Sequence, residues 1–147
     1  MKTRSKSGFT LVEILIVVVI LGILAAIVIP QFSQASTEAR ESSVKSNLQM
    51  LRSQIELYKI QHLEALPTVA NLVTQMTTVT DLNGGDWATT GIGSALGPYM
   101  RVVPNNPYTA GSTVGADNTF DWVYDAATGD FTAGADTTAD SAAHQAL

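Results

Sequence analysis

Lys6-Ser7-Gly8-Phe9-Thr10-Leu11-Val12-Glu13-Ile14-Leu15-Ile16 decides how this chain is built. A basic stretch ends in glycine, an apolar run begins, and one carboxylate stands near the run's outer end. From Ile14 to Ile29 there are sixteen residues without a polar side chain. Phe9 to Ile29 makes twenty-one, broken only by Thr10 and Glu13. At about 1.5 Å per helical residue that run covers roughly 31 Å, the thickness of a bilayer core. The spacing predicts a spanning helix over 9–29, joined to a small polar body. A chain of 147 residues leaves room for one modest domain beyond it.

Upstream, Lys2, Arg4 and Lys6 carry no acid among them. Positive flanks hold an N-terminus in the cytoplasm, so the body is expected on the other side. Residues 1–8 read as a leader. Past Arg101 there is no Lys or Arg but six aspartates, a surface that repels phosphates and argues against nucleic-acid binding. The absence of cysteine removes disulfides, a lipoprotein anchor and thiolate metal sites.

Downstream stands Pro30, which removes a helical hydrogen bond and bends an axis. The helix either stops there or continues, and residues 31–63, without Gly or Pro, argue for continuation. Val44, Leu48, Leu51, Ile55 and Tyr58 step by four, three, four and three, onto one face. The stripe covers barely two heptads, so a helix packed on its own domain is expected rather than a coiled coil. Glu41 and Lys45 form a favourable i,i+4 pair. Leu66-Pro67-Thr68 ends this helix, and Thr68 is the expected N-cap of a short second helix carrying Ala70, Leu72, Val73 and Met76. Asp81 to Gly97 reads as loop. Strands are expected at Tyr99–Val103, at Phe120–Tyr124 with one buried face, and at Phe131–Ala133 after a Thr128-Gly129 turn. The tail after Gly134 has no apolar anchor and is expected to be mobile. The expected segments are therefore 1–8, 9–30, 31–64, 65–133 and 134–147, with an α+β body.

Glu13 needs a physical reason. An acid in mid-membrane costs about 2.5–3.5 kcal/mol, and less near a helix end. It snorkels to headgroups, or is protonated, or pairs with a cation. Cutting the Gly8–Phe9 bond would supply one, the new α-amino group of Phe9. Two charges in hydrocarbon offset one another when joined. Spacing alone allows the amine to reach its own Glu13 or a neighbour's.

The run Gly8-Phe9-Thr10-Leu11-Val12-Glu13 before an apolar helix resembles the N-terminal signature of type IV prepilins and type II secretion pseudopilins. Gly97-Pro98-Tyr99-Met100 with Pro104 and Pro107, then Trp122-Val123-Tyr124 with Gly129, looks like the body of major pseudopilins and short pilins. The resemblance implies that a membrane prepilin peptidase cuts between Gly8 and Phe9 and methylates Phe9. It implies that Glu13 pairs with the Phe9 amine of a neighbouring subunit. It also implies that the helix loses regular structure between Gly22 and Pro30 in a filament. The fold it implies is the pilin fold, α+β, with a long N-terminal helix whose first half is membrane segment and filament core. Its second half packs on a small C-terminal antiparallel sheet. Implied partners are further copies of the chain, the peptidase, an inner-membrane assembly platform, minor pilins or pseudopilins and, before assembly, membrane lipid. The implied location is the bacterial inner membrane, then a periplasmic or cell-surface filament. No cofactor is expected. Those pseudopilins bind calcium in an Asp/Gly-rich C-terminal loop; here that loop is replaced by Asp121, Asp125 and Asp130 around a hairpin without its glycine pattern, so calcium near these aspartates is only the alternative.

Two rival readings remain at this level. An ordinary secretory signal cleaved after Ala35 in Ser33-Gln34-Ala35 would release a fragment beginning at Ser36, but Glu13 and the long uncharged core do not suit it. A plain single-span anchor is the other. No enzyme is expected: His62 and His144 lack partners nearby in sequence, and no serine motif or phosphate loop is present. Trp122, Tyr124 and Tyr99 are expected to pack in the core rather than form a ligand surface.

Overall fold

The sixteen-residue apolar run lies inside one α-helix, α1, Leu11–Gln61, with Pro30 in its interior. Continuation past Pro30 is therefore the outcome. The structure, a computed structural model, describes residues 8–91 and 93–134. The chain divides into two compact units, Met1–Ala39 and Arg40–Leu147. The expected leader falls almost wholly, and the expected mobile tail wholly, outside the described residues.

In the first unit every described residue is exposed, including Phe9, Leu11, Ile20, Leu24 and Phe32. Among the described residues this is the one helix long and apolar enough to cross a membrane. A helix apolar on all sides has no folded reason to stay in water, where each such side chain forgoes about 1.5–3 kcal/mol of burial.

In the second unit Val44, Leu48, Leu51, Ile55 and Tyr58 are the buried residues of α1, as the periodicity predicts. They meet Leu72, Met76, Tyr99, Met100, Val103, Trp122, Tyr124, Phe131 and Ala133 in one core. The helix ends without glycine. Leu63 and Glu64 take φ of 54° and 68°, and the Glu64 amide donates to the Lys59 carbonyl at 2.9 Å. That is the six-to-one bond of a Schellman ending, made by residues with a Cβ.

The short second helix, α2, is Leu72–Thr77, and its N-cap is Asn71 rather than Thr68, with no side-chain cap bond. Thr68 serves differently, because its amide donates to Gln75 Oε1 at 3.1 Å while Gln75 Nε2 donates to Gly84 O at 2.9 Å. Within the stretch read as loop lies a four-residue helix, α3, Trp87–Thr90. Asp86 caps it by accepting from the Ala88 amide at 3.0 Å, and Gly91 ends it at φ 57°.

Tyr99–Val103 is not a strand. The amides of Tyr99 and Met100 both donate to the Met76 carbonyl at 3.0 Å, so this segment is tied to α2 and has no ladder to join. The sheet instead has strands β1, Val114–Gly115; β2, Trp122–Asp125; and β3, Asp130–Ala133, in the order β1-β2-β3. β2 and β3 are antiparallel with Tyr124 opposite Phe131, and β1 adds a parallel edge to β2. Gly115 lets β1 sit there: a Cβ on it would fall 2.0 Å from the Phe120 ring. Trp122 and Tyr124 are buried as the alternation predicts, their polar atoms reaching Pro104 O at 2.8 Å and Pro67 O at 3.1 Å, whereas Phe120, expected in the same strand, lies before β2 and is exposed. Gly129, at φ 81°, closes the hairpin against Ile55 and Leu66.

Candidate functional site

The start of α1 is built by Thr10 and Glu13. Thr10 is the residue before the first helical turn, and Glu13 is the third residue within it. Glu13 Oε2 accepts from the Thr10 amide at 2.7 Å and from the Thr10 hydroxyl at 2.8 Å. The Glu13 amide donates to Thr10 Oγ1 at 3.3 Å. This reciprocal pattern is a capping box, which satisfies amides that a helix start leaves open. A carboxylate there also faces the positive end of the helix dipole. So Glu13 has a partner in its own chain, in addition to headgroups, a proton or a cation. The Thr-x-x-Glu signal stands in the sequence.

Phe9 is 82% exposed, and Gly8 is exposed just before it. A Cβ on Gly8 would meet nothing within 4 Å. Thus Gly8, Phe9, Thr10 and Glu13 form an accessible group at the mouth of the apolar helix. Lys2, Arg4 and Lys6 lie outside the described residues. Gly22 and Pro30 are both within α1, and residues 22–30 are helical in the single chain. A Cβ on Gly22 would also meet nothing within 4 Å, so packing inside the chain does not call for glycine there.

The aspartates are used separately. Asp121 Oδ2 accepts from the Thr113 amide at 2.7 Å and the Thr113 hydroxyl at 2.5 Å. Burial raises the Asp121 pKa, but the hydrogen bonds from Thr109 and Thr113 outweigh it and leave the group below its ordinary value. Asp125 Oδ1 accepts from the Ala127 amide at 2.8 Å, and this backbone bond leads those that hold its pKa down. Asp130 Oδ1 accepts from Arg52 Nε at 2.7 Å. Asp117 and Asp81 also bind their own loops, with pKa values lowered chiefly by the Thr119 hydroxyl and the Gly85 amide respectively.

His62 is buried and stacks on Tyr58 with ring centroids 3.7 Å apart. Its Nδ1 lies 2.9 Å from Tyr58 O and its Nε2 3.0 Å from Thr80 Oγ1. It is a core residue closing the end of α1. Tyr99, Trp122 and Tyr124 are buried and present no ligand surface. His144 lies outside the described residues.

The family model described as a prokaryotic N-terminal methylation motif matches residues 3–29. The chain is 42% identical over 62 residues to the type II secretion system core protein G of Pseudomonas aeruginosa, covering 42% of this chain and 44% of that protein. To the core protein G of Vibrio cholerae it is 30% identical over 111 residues, 73% of this chain and 68% of the relative. To the type IV major pilin of Myxococcus xanthus it is 52% identical over 44 residues, 30% of this chain and 20% of that one. The chain thus spans less than half the length of most of these relatives and two thirds of one. No solved structure matches the chain at a significant level. The Vibrio similarity covers far more of the chain than the N-terminal motif does, and on that extent the chain belongs to the family of type IV pilins and type II secretion pseudopilins.

Proposed function

We propose that this chain is the structural subunit of a type IV pilus-like or type II secretion pseudopilus filament. The observation that carries the reading is the first part of α1, apolar and exposed on all sides, with a charged capping box at its mouth. Such a helix needs lipid before assembly and other helices after it. The polar second unit suits an aqueous compartment, so the reading places the precursor in the bacterial inner membrane and the polymer in the periplasm or at the cell surface.

A prepilin peptidase cuts between Gly8 and Phe9 and methylates Phe9 in this reading. The exposure of both residues and the Cβ-free space around Gly8 support access. The new Phe9 amine then pairs with Glu13 of a neighbouring copy, in exchange for the Thr10 bonds, and sets the axial register. Gly22 and Pro30 let the intervening helix loosen when neighbours pack. An assembly platform and minor pilins or pseudopilins complete the machine. The chain performs no chemistry of its own. Its buried His62 and its engaged aspartates are used for folding.

Mass spectrometry of the mature protein tests the reading. A chain beginning at N-methylated Phe9 is expected. A start at Ser36 would mark an ordinary secreted protein, and an intact Met1 a plain anchor. Ser33 to Ala35 lies mid-helix in α1, with the Ser33 carbonyl accepting from Thr37 Oγ1 at 3.2 Å, which disfavours the extended backbone a signal peptidase would need.

A further inference from the structure

Calcium among the C-terminal loops is the alternative that the sequence leaves open, and the described residues there do not fit it. Calcium takes six to eight oxygens that converge on a point. Here Asp121 turns to Thr113 beside β1, Asp125 turns into its own hairpin turn, and Asp130 turns to α1. Among the described residues no group of three or more acidic or histidine side chains is placed to hold a metal.

A fixed cation already stands in the hairpin. Asp125 and Asp130 are directly opposed at the turn end of β2 and β3. Like charges so placed destabilise a hairpin. Arg52, from the middle of α1, donates from Nε to Asp130 Oδ1 at 2.7 Å and from Nη2 to the Phe131 carbonyl at 2.7 Å. One planar fork therefore neutralises a carboxylate and gathers a main-chain oxygen, and it fastens both to the helix. Those are the tasks a bound metal ion performs in an acidic loop. We propose that Arg52 is the resident cation of the β2–β3 hairpin and that it makes the folded body indifferent to calcium. The inference concerns the body alone and stands apart from the filament reading.

Thermal unfolding of the full chain in detergent micelles tests it, followed by tryptophan emission because Trp122 on β2 is fully buried. The wild-type midpoint is expected to be the same in excess EDTA and in millimolar calcium. Arg52→Gln is expected to lower it by several degrees. Asp130→Asn is expected to cost clearly less in the Arg52→Gln background than in the wild type, because the two charges act as one pair. If Arg52→Gln does not fold, the same cycle is run with Arg52→Met, which keeps the length of the side chain and loses its charge. A wild-type midpoint that rises with calcium overturns the proposal. So does an Arg52 variant that melts with the wild type, or an equal Asp130→Asn cost in both backgrounds.

Discussion

At the scale of single residues, Glu13 carries two separable properties, an acceptor for the helix start and a negative charge. Its bonds to Thr10 use the acceptor. The proposed pairing with a Phe9 amine would use the charge. Glu13→Gln keeps a carbonyl oxygen for the cap and loses the charge, whereas Thr10→Ala loses the cap and keeps the charge. We expect Glu13→Gln to insert normally, to retain slow amide exchange in the first turn of α1, and to yield few or no filaments. Thr10→Ala should speed that exchange, since losing an N-cap costs about 0.5–2 kcal/mol. Amide exchange in micelles and filament yield from membranes measure the two effects. Abundant filaments from Glu13→Gln would show that charge pairing is not what assembly needs. Much of this site was legible in the sequence, since Gly8, Phe9 and Glu13 stand out from their apolar surroundings. Thr10 is less legible, because a hydroxyl in an apolar run contrasts less with its surroundings than a carboxylate does, although Thr10 and Glu13 make one motif.

At the scale of elements, legibility followed where hydrogen bonds go. The stripe Val44, Leu48, Leu51, Ile55 and Tyr58 is periodic because one helix face meets one core, and the five are buried. The Trp122–Tyr124 alternation announces a half-buried strand for the same reason. Tyr99–Val103 misleads because Tyr99, Met100 and Val103 are buried while the amides of Tyr99 and Met100 find the Met76 carbonyl instead of a ladder. β1 has only two residues, too few to show a period. The short α3 does carry end signals, in Asp86 and Gly91, but no apolar face. The end of α1 gives the prediction at this scale. Leu63 adopts φ 54° while 76% exposed, so its side chain adds little packing and its Cβ opposes the backbone. Leu63→Gly places the favoured residue at a Schellman ending and should stabilise the body by about 1 kcal/mol, or roughly 4 °C in midpoint. A lowered midpoint on thermal unfolding would mean that the Leu63 side chain packs usefully after all.

For the whole molecule, the ionisable groups of the body set two edges to its stability. Asp81, Asp117, Asp121 and Asp125 all have folded pKa values below the ordinary carboxylate value of 3.8. The unfolded chain binds their protons first as pH falls, so their contribution is complete above about pH 4 and is lost as pH drops through the lower folded values. Tyr58 and Tyr124 lie at the other edge. Burial comes first among the causes that raise each of them from 10.0 to about 12. A phenol whose folded pKa is raised is worth its full contribution below the unfolded value, and that contribution fades as pH rises from about 10 towards about 12. Both rings belong to the one core, with Tyr124 touching Phe131 at a centroid distance of 5.0 Å and Tyr58 stacked on His62, so ionising them opens the core itself. The loop aspartates instead hold the periphery. Acid is therefore expected to loosen the loops around 81–86, 116–121 and 126–129 before the core, whereas alkali should unfold the body in one step as tyrosinate forms. A pH series that follows Trp122 emission, loop amide exchange and tyrosinate absorbance together checks this. If Tyr58→Phe and Tyr124→Phe leave the alkaline loss of tryptophan packing where it stands in the wild type, these two phenols do not set the alkaline edge.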